Sequence, residues 1–229
     1  MRAQEFLLER WTANTVKDYF DSQTGNQVKK SSVSVSQPMP GCILLTFKSI
    51  PDLTRCFFRL SEFANSGQNV DMVDFLDHWI DREGQADYFK FWDGFNITNQ
   101  GFESWVKKTR EFSQAEQVLI DIVKNKKPST QKWCVLGITT DDPATRTHEL
   151  FHAKYYLDAE FKHKVDQLIA EFKQDSAYKI MAKTLKQRLD YIKNIDEEIA
   201  AYLYAGSQIK MVFGIECQPW VKKFQELAE

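Results

Sequence analysis

The chain has 229 residues, 43% hydrophobic and 27% charged, with 30 Lys plus Arg against 32 Asp plus Glu and a formal net charge of −2. A chain this long builds one large domain or two small ones and buries a sizeable core without covalent staples. Balanced charge gives no global field to hold a phosphate backbone, which argues against a nucleic-acid partner, and 17 Phe, 8 Tyr and 6 Trp argue against intrinsic disorder.

No run approaches the roughly 18 apolar residues of a membrane span, so no membrane association is expected. Met1–Trp11 lacks the basic start and continuous apolar stretch of a signal peptide. Cys42, Cys56, Cys134 and Cys217 are scattered without a CxxC pair, which indicates neither a thiolate zinc site nor a disulfide framework. Buried free thiols in a reducing cytoplasm are the expectation. Asn96-Ile97-Thr98 matches a glycosylation acceptor but, with no secretory signal, reads as incidental.

Along the chain, Glu5–Phe20 has partly helical spacing and reads as a helix, followed by a polar, Ser-rich stretch over Asp21–Gln37 read as a loop or an edge hairpin. Pro38, Pro40 and Gly41 punctuate the chain before Cys42–Ile50, whose β-branched and aromatic content reads as a strand. Pro51–Phe63 and Val70–Ile80 read as helices, and Tyr88–Ile97 as a loop or irregular strand. Phe102–Val123 is helical in period, with an interruption at Ser113, where Ser113-Gln114-Ala115-Glu116 has the form of a capping box. After a loop over Lys124–Gln131, Lys132–Thr140 reads as a strand. Asp141-Asp142-Pro143 then marks a helix start. Helices follow over Ala144–Leu157, Ala159–Phe172, Ala177–Ile192 and Asp196–Tyr204. Mixed strands and helices followed by helices alone indicate an α+β fold.

His148-Glu149-Leu150-Phe151-His152 is an H-E-x-x-H motif inside one of these helices, just after a strand. Residues four apart on a helix lie about 40° apart around its axis and one turn apart along it, so both imidazoles can face one ion. Glu149, one residue after the first histidine, adjoins the site rather than completing its ligand set, and its carboxylate suits a general base. A catalytic zinc needs a third protein ligand and an open position. His78 and His163 lack the spacing of an extended H-E-x-x-H-x-x-G-x-x-H motif, and His163 reads as a surface residue. The acidic turn Asp196-Glu197-Glu198, followed by Ile199-Ala200-Ala201, offers a carboxylate on a helix with side chains small enough to pack closely. The plainer role of these acids would be to complement the helix dipole.

A strand, an H-E-x-x-H helix and a later helix carrying E-x-x-A together resemble the gluzincin branch of the zincin-like zinc metallopeptidases. The resemblance covers roughly Lys132 to Tyr204. It implies zinc bound by His148, His152 and Glu198, with Glu197 as the competing register for the third ligand and Glu149 activating water. It also implies a single zincin-like domain, with an N-terminal subregion 1–130 that resembles nothing nameable and a catalytic subregion 131–229. Thermolysin-like members carry an aspartate four residues after the ligand glutamate to orient the first histidine; Tyr202 stands there in this chain. Tyr155, Tyr156, Tyr202 and Tyr204 are oxyanion-stabilising candidates by proximity alone. The expected function is a cytoplasmic zinc-dependent peptidase acting on a peptide or protein substrate. A zincin-like interaction or regulatory protein that binds metal but cleaves little is the alternative, and hydrolysis of a non-peptide amide would use the same residues.

Overall fold

The computed structural model describes residues 28–67, 93–139, 142–188 and 194–228. The helices expected over Glu5–Phe20 and Val70–Ile80, and with them His78, lie outside these residues. The fold is α+β: nine α-helices and one four-stranded mixed sheet among the described residues. None of these helices is long and apolar enough to cross a membrane. The chain divides into two compact units, Met1–Thr140 and Asp141–Glu229.

In the first unit the sheet is built from β1 (Ser34–Ser36), β2 (Cys42–Phe47), β3 (Gly94–Thr98) and β4 (Cys134–Thr139), in the order β1-β2-β4-β3. β2 and β4 run parallel at the centre, and the two outer strands are antiparallel to their neighbours. Both central strands are almost wholly buried, which explains why they read as continuous apolar runs rather than alternating ones. The expected strand over Cys42–Ile50 ends at Phe47, because Ser49 caps the next helix, its side chain accepting from the Asp52 N–H, and Pro51 occupies the first turn. That helix, α1 (Ile50–Ser66), closes on Gly67, whose φ of 72° is the left-handed geometry of a helix C-cap.

α2 (Asn99–Lys108) and α3 (Gln114–Lys126) are separate helices, divided at the position the sequence indicated. Both halves of the capping box form at Ser113 and Glu116. Glu116 is also the buried partner of Arg59 on α1: its two oxygens receive the guanidinium Nε and Nη2, each at 2.6 Å, so the cap joins two helices. Residues 94–98 of the stretch read as irregular form a regular edge strand, with Phe95 and Ile97 inward. The four cysteines are free and buried, and Cys42 and Cys134 sit opposite each other on β2 and β4. Burial raises the thiol pKa of Cys56, and Cys42 together with burial raises that of Cys134, so both stay protonated and unreactive.

The second unit is entirely helical among the described residues: α4 (Pro143–Leu157), α5 (Ala159–Phe172), α6 (Ser176–Arg188), α7 (Ile195–Ala205), α8 (Ile209–Phe213) and α9 (Gln218–Gln225). The first four match the sequence expectations to within one or two residues at every described end, although the stretch to Ile192 runs beyond the described residues. Asp142 caps α4, accepting from the Ala144 N–H ahead of Pro143, and Asp158 caps α5 through the Glu160 and Phe161 N–H groups. α8 and α9 had no counterpart in the sequence reading; they are short, and Gly206 and Gly214, both at positive φ, divide them from their neighbours. α7 is the central element and packs against α4, α5, α6 and α9. Its residues Ile199, Ala200, Ala201 and Leu203 are fully buried among Phe151, Phe161, Phe172, Phe213 and Phe224.

Gly137 on β4 lies under α1, and a Cβ there would stand 2.5 Å from the Phe57 ring and 2.6 Å from Leu53 Cδ1. Both neighbours are fully buried and have no room to retreat. Gly137→Ala should therefore destabilise the protein by about 1–3 kcal/mol through overpacking, read as a lowered urea midpoint; an unchanged midpoint would contradict this packing.

Candidate metal centre

α4 carries an unusual inner face. Thr145, Glu149 and His152 are buried and His148 is nearly so, which places four polar side chains at the i, i+3, i+4, i+7 spacing that an ordinary amphipathic helix gives to apolar residues. Thr145 is satisfied at the helix start, where its hydroxyl donates to Asp142 Oδ2. The other three need partners from elsewhere, and α7 lies against this helix.

The acidic first turn of α7 supplies partners for the two histidines. His148 Nε2 and His152 Nε2 face each other at 3.1 Å. Glu198 completes the group, with Oε2 3.4 Å from His148 Nε2 and Oε1 3.5 Å from His152 Nε2. One ligand atom from each of the three residues lies within 4.8 Å of the others. Ligands about 2.1 Å from a common zinc at tetrahedral angles stand about 3.4 Å apart, close to these nearest contacts, in which Glu198 presents a different oxygen to each histidine. Glu198 Oε2 is shut away from solvent, and its contact to His148 Nε2 at 3.4 Å is too long to satisfy it well, which a buried carboxylate oxygen rarely tolerates. Donor set, spacing and this orphaned oxygen all fit a divalent cation.

Glu197, the competing register, does something different. Its Oε1 lies 2.8 Å from His152 Nδ1, on the far side of the ring from the Nε2 that faces His148. Asp196 turns away from both histidines: it accepts from Lys173 Nζ and from the Tyr178 hydroxyl, each at 2.6 Å, tying α7 to the end of α5 and to α6. The three consecutive acids, all in the first turn of α7, thus engage different groups: Asp196 meets Lys173 and Tyr178, Glu197 meets Nδ1 of His152, and Glu198 meets Nε2 of both histidines. Glu149 is buried on α4, and its charge acts on His152.

The tyrosines separate as well. Tyr202, one turn after Glu198, sets its ring edge-on to His148 with centroids 4.8 Å apart, and packs in turn against Phe213. Tyr155 points its hydroxyl at Asp166 and receives a hydrogen bond from Lys162, while Tyr204 packs its ring against Phe151 and Phe161. Tyr156 is half-buried on α4. His163 is exposed on α5 beside Gln167, as a surface residue.

The electrostatics follow from the geometry. Burial, the largest influence on His152, disfavours its charged form, but Glu198, the Glu197 hydrogen bond and Glu149 together outweigh it and lift its pKa to about 9. Burial likewise pushes Glu198 upward, and His152 and His148 overcome it to hold the carboxyl below its ordinary value. In the metal-free protein the cluster therefore keeps an extra proton on His152 at neutral pH, and a cation would have to displace it.

Compared with protein-family models, with characterised proteins and with solved structures, the chain matches none.

Because the folded pKa of His152 lies above the unfolded value of 6.5, the stability it contributes to the metal-free protein is complete below about pH 6.5 and is lost as pH rises through about 9. The stability difference between chelator-treated wild type and His152→Gln should narrow across that window in urea titrations. A difference that does not vary with pH would contradict the assignment.

Proposed function

We propose that the chain is a zinc-dependent peptidase in which His148, His152 and Glu198 hold the metal and Glu149 is the general base. The observation that carries this reading is the convergence of two imidazole nitrogens and one carboxylate, within 4.8 Å of one another, beside a buried glutamate on the same helix. Two histidines and a glutamate are a ligand set typical of hydrolytic zinc and leave one position for water and substrate.

The bound metal would supply Lewis acidity, lowering the pKa of water and polarising a carbonyl. The chain's own residues do the rest. Glu149 accepts the proton of the attacking water on its carboxylate and returns it to the nitrogen of the leaving amine, so the peptide bond is cut without a covalent enzyme intermediate. Its burial on α4 removes competing solvent from that carboxylate. Tyr202, packed on His148, closes one side of the ring and restricts its rotation.

Glu149→Gln keeps the shape of the side chain and removes its basicity. It should retain zinc while losing peptide cleavage by about 10²–10⁴-fold, measured as metal content and turnover of a peptide library by the same preparation. Zinc bound by both proteins with no cleavage by the wild type would replace the peptidase with a metal-binding protein. Equal cleavage by both would remove Glu149 from the mechanism.

A further inference from the structure

Glu197 lies outside the reaction proposed above, yet it makes a close polar contact to His152, 2.8 Å from Oε1 to Nδ1. A neutral imidazole carries one proton, and whichever nitrogen donates leaves the other with a lone pair. A carboxylate is acceptor-only, so its place at Nδ1 holds the proton of the neutral ring there and leaves the lone pair on Nε2. Nε2 is the atom that faces both His148 Nε2 and Glu198.

We propose that Glu197 is a positioning residue for His152: it fixes the tautomer and the ring orientation that aim Nε2 at the centre shared with His148 and Glu198. The proposal deepens the zinc-site reading and rests on it. Three features of the geometry support this role over direct ligation. Nδ1 and Nε2 point to opposite sides of the imidazole, so a group bonded to Nδ1 is directed away from an ion on Nε2. Glu197 and Glu198 are adjacent on one helix, and a single backbone placement sets the ligand and the orienting carboxylate together. That placement is anchored by the neighbouring Asp196 through Lys173 and Tyr178, which fixes the first turn of α7 independently of the histidines. Carboxylates behind metal-bound histidines commonly account for 10–100-fold in metal affinity.

The test uses the full chain, zinc affinity by chelator competition, and the visible absorption of the cobalt-substituted protein. Glu197→Ala should weaken zinc binding about 10–100-fold while leaving the cobalt spectrum that of the wild-type ligand set. Glu197→Gln, whose side-chain carbonyl can still accept from Nδ1–H, should recover most of the loss. Glu198→Ala and His148→Ala should cost more and change the cobalt spectrum. If Glu197→Ala binds zinc as wild type does while Glu198→Ala does not, the positioning role is wrong and the zinc site stands. If Glu197→Gln is as impaired as Glu197→Ala, or the cobalt spectrum changes with either, Glu197 acts as a ligand or through its charge, and the proposal is overturned. If substitutions at His148, His152 and Glu198 all leave zinc affinity unchanged, the zinc site itself fails. Should Glu197→Ala not fold, nitrogen-15 NMR of zinc-loaded wild type decides. His152 should show a protonated, hydrogen-bonded Nδ1 and a metal-bound Nε2, and ligation through Nδ1 would overturn the proposal.

Discussion

The helical unit depends on one electrostatic constraint: ionisable groups from two helices are buried together and can be tolerated only in one another's company. An isolated carboxylate or imidazolium in an apolar interior is costly, and partners recover that cost only at close range and in good geometry. His152 and Glu198 show the mutual dependence, since each is held toward its charged form by groups that include the other. Turning α7 by one residue, about 100° about its axis, would take Glu198 from the histidines and leave buried charge unpaired. The rotation and spacing of α4 and α7 are thereby specified by the polar cluster as well as by packing.

Apolar packing makes such a cluster sustainable. Ile199, Ala200, Ala201 and Leu203 give α7 a fully buried remainder, and helices on several sides hold it in place. Ala201 lies one turn beyond Glu197 and Tyr202 one turn beyond Glu198, so the side of α7 that meets the histidines continues as one small residue and one aromatic. The small residue permits close approach, and the aromatic rests against His148. Around this contact the helix ends are fixed by side chains chosen for it: Asp142 and Asp158 cap α4 and α5, and Asp196 ties three helices together.

Most of the helices were legible because their signals are local. A capping Ser or Asp, a Pro in the first turn and a Gly just past the end mark boundaries within a few residues of sequence, and α1, α3, α4 and α5 carry them. β1 and β3 were harder to read because short edge strands owe their regularity to the neighbours they pair with, here β2 and β4. α8 and α9 are one to two turns long, too short for periodicity to show. Spacing alone brought the two histidines of α4 to one face. It could not divide labour between Glu197 and Glu198, which are adjacent and chemically identical. Their roles depend on how α7 is rotated against α4, a long-range outcome set by the burial of Ile199 to Leu203. The burial of Thr145, His148, Glu149 and His152 on a single stripe was in principle readable, since that stripe is polar where the core side of a helix should be apolar.

A cation held by the same groups would link its affinity to folding. Without a cation, the facing imidazoles lie 3.1 Å apart, and the neighbouring carboxylates favour the charged form of His152. Under the zinc reading, loading exchanges that single positive charge for a double one at the same place, so the surrounding carboxylates are more fully compensated in the loaded state. Any cation that binds the folded cluster and not the unfolded chain adds its binding free energy to the stability of the helical unit. Because α4 and α7 each contribute to both the core and the cluster, a substitution that loosens their contact disturbs the cluster, and one that removes a member of the cluster leaves a buried charge that loosens the contact. For any cation held there, affinity and the stability of this unit would be two measurements of one helix–helix interaction.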